Sequence, residues 1–292
     1  MRSELLVKSN GLHIWTESFG NHLHAPILLI AGAGAQSIFW EDEFCQRLAE
    51  SERFVVRFDN RDTGLSDSVD FESSPYTIND MAADAVSILD AYNLTAAHMV
   101  GASGGGLICQ ILALEHRRRV LTISALISSP LGTGSNELPN SGYGDLPPPT
   151  TEFLEQLQDF VGEVPGDRDA FIDWTLRKYE AISGSLEVFD KKAKAKLAEL
   201  EFARARNLQA MNNHALAVNI SPVSGRALLG GLDVPTLVVH GTEDPLLPYA
   251  HGRAIAETIP GAELLTIEKM GHDLPRPAWS QIIKAILQHT TA

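Results

Sequence analysis

Six short apolar runs punctuate the chain: PILLIAG (26–32), RFVVRFD (53–59), AHMVGA (97–102), TISALISS (122–129), PTLVVHG (235–241) and AELLTIE (262–268). They are continuous rather than alternating and are bounded by turn residues, the pattern of strands buried on both faces of a mostly parallel sheet. Between them the apolar positions repeat at helical spacing. In TINDMAADAVSILDAYN (77–93), Met81, Ala85, Ile88, Leu89 and Tyr92 share one face, and Thr77 with Asp80 makes a capping box in which Asp replaces Glu. Residues 104–115 and 278–289 also predict helices. Ahead of these, residues 4–8 and 12–19 predict two strands joined at Asn10-Gly11, a dipeptide suited to a hairpin turn. Strand–helix alternation of this kind predicts a doubly wound α/β fold with a mostly parallel sheet.

The alternation breaks once. Residues 131–150, LGTGSNELPNSGYGDLPPPT, hold four glycines and four prolines, which no regular element survives. Residues 151–220 then carry helical patterns without strands, including a long charged amphipathic stretch over 186–218. Residues 131–228 are therefore expected to form a helical cap inserted after the sixth strand, with 1–130 and 229–292 as the sheet domain. The 131–150 segment is a candidate lid or a passive connector. No internal repeat is visible.

Composition narrows the function classes. With 44% hydrophobic and 21% charged residues over 292 positions, the chain reads as an ordinary globular protein with a sizeable core. A formal net charge of −14 argues against a nucleic-acid surface. Two cysteines, Cys45 and Cys109, make no disulfide framework and no zinc pattern; both read as reduced, buried thiols in helices. No secretory h-region opens the sequence, and no apolar run reaches the roughly 20 residues that span a bilayer. The expectation is a cytoplasmic protein with no membrane partner.

Chemistry enters at HMVGASGGGLICQ (98–110). Gly101-Ala102-Ser103-Gly104-Gly105 matches G-x-S-x-G between a predicted strand and a predicted helix. A sharp turn there strains the serine backbone and exposes its hydroxyl, while the helix start aims N–H groups at developing negative charge. A phosphate-binding loop is disfavoured, because the turn has no Lys and no G-x-x-x-x-G-K-[ST]. A serine needs a base. The best of ten histidines is His272, in EKMGHDLPRP just after the last strand, where ligands gather on such sheets. VVHGTEDPLLP offers the orienting carboxylate; Asp244, further into the turn, is preferred to a solvated Glu243, and Asp273 is set aside because neighbours in a loop seldom face each other. One oxyanion donor is expected from Gly104, and the other from Ala33 in AGAGAQSIFW after the third strand.

Together these residues resemble the α/β-hydrolase superfamily over nearly the whole chain. DNRDTGLS resembles its D-x-R-G-x-G-x-S loop in altered form, with Arg61 and Asp62 taken as structural. The FW-E-DEF, RFDNRDTGLSD, AADAVSILD and KMGHDLP segments look like the aclacinomycin methylesterase-like branch, which demethylates polyketide methyl esters. The chain departs from that branch at Gly104, where Met is common, and in a cap that reads as different. Dehalogenases and epoxide hydrolases of this layout carry Asp where Ser103 stands, and are disfavoured.

The expected activity is serine-dependent hydrolysis of small to medium carboxylic esters through an acyl-enzyme, with no cofactor and no metal. Trp174, Tyr179, Met211 and His214 are candidate pocket residues, each also readable as helix packing. A small-molecule ester is the expected partner, and a homodimer is admitted. The rivals are a lactonase or a C–C bond hydrolase with the same triad, and a non-catalytic hydrolase-fold binding protein.

Overall fold

The computed structural model describes residues 2–132, 145–220 and 225–291. Eight strands form one sheet: β1 (Arg2–Ser9), β2 (Leu12–Phe19), β3 (Ala25–Ile30), β4 (Arg53–Phe58), β5 (Ala97–Ala102), β6 (Val120–Leu126), β7 (Thr236–Gly241) and β8 (Glu263–Ile267). Their spatial order is β1-β2-β4-β3-β5-β6-β7-β8. Only β1/β2 and β2/β4 pair antiparallel; the rest of the sheet is parallel. The hairpin turns at Asn10 and Gly11, both with positive φ (46° and 87°), as the dipeptide predicts.

The continuous apolar runs are explained by cover on both faces. Leu28 and Ile30 of β3 join one cluster, with helices α2 (Ile78–Ala91) and α3 (Gly104–Glu115). Ile27 and Leu29 of the same strand join the other, with Phe44, Cys45 and Leu48 of α1 (Asp42–Glu50) and the helix that closes the chain, Arg276–His289. A strand with water on one side would alternate; this one does not, because each face removes about 1.5–3 kcal/mol worth of side chain from water per residue. Both cysteines are buried in helices.

Between β6 and β7 the described residues form helices and no strand: α4 (Thr151–Leu157), α5 (Arg168–Ile182), α6 (Lys191–Arg204) and α7 (Asn213–Ile220). Side-chain caps start three of them. Thr150 accepts from Phe153 N at 3.2 Å, Asp167 from Ala170 N at 3.0 Å, and Asp190 from Ala193 N at 2.9 Å. The stretch 186–218 is not one helix. It breaks after Arg204, where the Asn207 side chain takes the Gln209 N–H at 3.1 Å and offers the backbone an alternative to the helix. Val164, Phe171 and Trp174 form a small core of their own, packed by Phe202, Leu208 and Met211. Most of the candidate lid, residues 133–144, lies outside the described residues. Helices α8 (Ala250–Thr258) and α9 (Arg276–His289) flank β7 and β8.

Candidate active site

The carboxyl ends of β3, β5, β7 and β8 open on one edge of the sheet, and the site is built there from their loops. β5 ends at Ala102 and α3 begins at Gly104, so the whole reversal falls on Ser103, at φ 53° and ψ −120°. Such a backbone costs about 1–3 kcal/mol and persists only where the surroundings hold it. Ser103 N donates to Leu126 O at 2.9 Å, and Ser103 O accepts from Gly106 N at 2.9 Å and Ser128 Oγ at 2.8 Å. The flanking glycines are required by contact: a Cβ on Gly101 would stand 2.2 Å from Gly105 O, and one on Gly105 2.2 Å from Ile30 O.

Ser103 Oγ lies 3.0 Å from His272 Nε2, and His272 Nδ1 lies 2.8 Å from Asp244 Oδ2. Asp244 and His272 are buried; Ser103 is half-buried. The other carboxylate oxygen, Asp244 Oδ1, accepts from Leu246 N at 3.0 Å and Leu247 N at 2.8 Å. Burial works to raise the Asp244 pKa, but the charge and hydrogen bonds of His272 and His240 outweigh it and hold the carboxyl below its ordinary value. An ionised Asp244 only accepts, so it selects the Nδ1–H tautomer of His272. The Nε2 lone pair then faces the Ser103 hydroxyl, as a base must.

His240, which the sequence reading passed over, stands on the far side of the same carboxylate. Its Nε2 donates to Leu247 O at 2.7 Å and lies 3.3 Å from Asp244 Oδ2. Glu243 is exposed, as expected, yet its carboxylate is engaged: Oε2 accepts from Ser185 N at 2.8 Å. Asp273 turns from His272 towards Ser183 Oγ at 3.4 Å, and burial pushes its carboxyl up to about 6.

The two expected oxyanion donors converge. A Cβ on Gly104 would lie 3.0 Å from Ala33 N, which places the two backbones side by side next to Ser103. Gly104 opens α3, so its N–H has no partner within the helix, and no acceptor among the described residues takes the Ala33 N–H. Two free donors at a helix N-terminus suit a developing oxyanion.

The loop carrying Ala33 is held by residues far away in sequence. Asp59 Oδ1 accepts from Ser37 N at 2.8 Å and Ser37 Oγ at 2.7 Å, while Oδ2 accepts from Leu65 N at 2.9 Å and from Arg204 of α6 at 2.6 Å. His214 of α7 accepts from Gly34 N through Nδ1 at 2.8 Å and donates through Nε2 to Arg61 O at 2.6 Å. Arg61 pairs with Asp84 at 2.7 Å, and Asp62 accepts from Tyr76 and Asn213 at 2.6 and 3.0 Å, which makes both structural.

The four pocket candidates separate accordingly. His214 is buried with both ring nitrogens taken, so it is a strut for the oxyanion loop rather than a pocket wall. Trp174 is buried in the helical segment's own core and donates to Asp159 O at 3.1 Å, so it too is packing. Tyr179 donates to Glu201 of α6 at 2.6 Å and is half-buried. Met211 packs on Gly34, where a Cβ would meet its Cε at 3.2 Å. The pattern of sequence could mark these residues as inward-facing; it carried no sign that the partners of His214 are backbone groups about 150 to 180 positions away.

Residues 25–275 match the alpha/beta hydrolase fold family. The chain is 33% identical to a rhodomycin D methylesterase of Streptomyces sp. (strain C5) over 98% of both chains. It is 32% identical to a rhodomycin D methylesterase of Streptomyces peucetius, again over 98% of both. Among solved structures, an esterase from Exiguobacterium antarcticum superposes with a TM-score of 0.77 at 20% identity, covering 100% of each chain.

Proposed function

From the premise that this chain belongs to the alpha/beta hydrolase fold family, we propose that it is a carboxylic ester hydrolase working through Ser103, His272 and Asp244. The observation that carries the reading is the continuous relay from Asp244 Oδ2 to His272 at 2.8 Å and from His272 Nε2 to Ser103 Oγ at 3.0 Å. His272 Nε2 takes the Ser103 proton as Oγ attacks the ester carbonyl. The Ala33 and Gly104 N–H groups receive the oxyanion; one such donor is worth about 2.7–4 kcal/mol in comparable sites. Asp244 stabilises the imidazolium without itself taking the proton. His272 returns the proton to the leaving alkoxide, then activates water to release the acid from the acyl-enzyme.

Residues 131–228 serve as the cap in this reading. Hydrogen bonds from α5, α6 and α7 to the His272 loop, to Asp59 and to Gly34 support that reading. A crevice of about 760 Å³ is walled by Ile38, Glu41, Leu274 and, from α6, Lys194 and Leu197; none of Ser103, Asp244, His272, Ala33 and Gly104 lines it. Because the relatives matched over 98% of the chain are named as rhodomycin D methylesterases, methyl esters are the first substrates to try.

The test is a panel of esters varying in acyl size and alcohol, with a lactone and a 1,3-diketone included. Hydrolysis of esters that disappears in Ser103→Ala supports the reading. Faster turnover of the lactone or the diketone favours the rivals, and turnover retained in Ser103→Ala defeats the covalent mechanism.

A further inference from the structure

Helix α5 ends at Ile182, and the next residues run along both loops that carry the base and its acid. Ile182 O accepts from His272 N at 2.7 Å, and Leu186 N donates to Lys269 O at 2.9 Å. Ser185 N donates to Glu243 Oε2 at 2.8 Å, and Ser183 Oγ to Asp273 Oδ2 at 3.4 Å. At the centre the two backbones touch. A Cβ on Gly184 would lie 2.2 Å from Lys269 O and 2.4 Å from Gly271 N; one on Gly271 would lie 2.2 Å from Gly184 N and 2.4 Å from Ile182 O. From the other side, Glu243 N donates to Met270 O at 3.0 Å, so the His272 loop is clamped between the Asp244 loop and this segment.

We propose that residues 182–186 are a positioning element for His272, so that the helical cap sets the alignment of the imidazole as well as the shape of the pocket. The inference rests on the assignment of His272 as the base. The contact is made of hydrogen bonds and glycine backbones, which leave less room for slippage than packed side chains. The His272 main chain is bonded directly to the last turn of α5. At its other end, α5 places Phe171 with Gly34 and Met211 around a small cavity beside the oxyanion loop. One helix thus spans from the anion-stabilising loop to the base.

The test is Gly184→Ala, whose methyl group forces the two backbones apart. Misplacing a reacting group by about 1 Å costs on the order of 100-fold in rate. The folded variant is expected to lose about 10- to 100-fold in kcat, with KM little changed. Its downfield proton resonance from the His272–Asp244 hydrogen bond is expected to shift or broaden. Ile88→Val, buried in α2 in the core cluster on the other face of the sheet, serves as the control: it lowers Tm without touching the clamp and keeps both kcat and the resonance. A folded Gly184→Ala with wild-type kcat and an unmoved resonance overturns the proposal. Should that variant fail to fold, Glu243→Ala and Glu243→Gln decide. Loss in the Ala variant with recovery in Gln, which keeps an acceptor for Ser185 N–H, supports the clamp; wild-type behaviour in both overturns it. The resonance is read without turnover, so a failed clamp and a failed esterase assignment give different results.

Discussion

Asp244→Asn changes one atom of the relay, and the structure dictates which way the new amide must face. The backbone N–H groups of Leu246 and Leu247 donate to Asp244 Oδ1 at 3.0 and 2.8 Å. In the variant those two donors hold the amide oxygen where Oδ1 was, so the NH2 group takes the place of Oδ2. There it meets His272 Nδ1 at 2.8 Å and His240 Nε2 at 3.3 Å. His240 Nε2–H is already donating to Leu247 O, so it offers the amide no acceptor. The amide then favours an unprotonated Nδ1 on His272, which moves the proton to Nε2 and aims a donor, not a base, at Ser103. An orientation error of this kind costs about 10⁴ in kcat in the Ser-His-Asp template, equivalent to about 5.5 kcal/mol of barrier. Steady-state hydrolysis of a p-nitrophenyl ester, with the fold checked by circular dichroism, measures it. A folded Asp244→Asn enzyme within tenfold of wild type in kcat would refute the assignment of Asp244 as the orienting acid.

Three further outcomes are expected. His214→Ala leaves Gly34 N–H and Arg61 O without their partner, at about 1–3 kcal/mol each; urea unfolding is expected to show the loss, and kcat to fall as the oxyanion loop loosens. Burial lowers the pKa of His98 from 6.5 to about 4, which depresses the folded-state value below the unfolded one. Its contribution is present above pH 6.5 and lost as pH falls towards 4. Asp273, pushed up from 3.8 to about 6, acts in the opposite sense over that window below about pH 6, so the difference between wild type and His98→Gln across pH 7 to 4 isolates the histidine. An unchanged difference at every pH would contradict the burial argument. Gly105→Ala, with its methyl 2.2 Å from Ile30 O, is expected to lower Tm sharply or prevent folding; a Tm within a degree of wild type would mean that β3 and α3 are not in backbone contact.

What was legible in the sequence was what short-range chemistry encodes. The parallel strands could be read because burial on both faces removes alternation, as in β3, where Ile27 and Leu28 enter opposite cores. Ser103 could be read because a strand-to-helix reversal with glycines on either side leaves a local signature. Asp244 and His272 could be read from their place after strands. The arrangement around them could not. His214 binds two backbone groups, and backbone groups have no letter in the sequence. Residues 182–186 dock through main-chain atoms and a glycine, without hydrophobic periodicity to mark them. Glu243 reads as a solvated neighbour of the acid, and it is exposed, but the partner that orders it lies 58 positions away. Helix α1 was legible only in part: Cys45 reads as helical, and Phe44, Cys45 and Leu48 have helical spacing, but nine residues between two strands leave its bounds unmarked.

The most direct test of the central claim is covalent capture. Treated with a fluorophosphonate probe, the wild-type protein is expected to gain one adduct, mapped by peptide mass spectrometry to Ser103, at a rate that falls in Asp244→Asn and His272→Ala and vanishes in Ser103→Ala. An adduct on another residue, or none on a folded protein that still hydrolyses esters, would contradict the account.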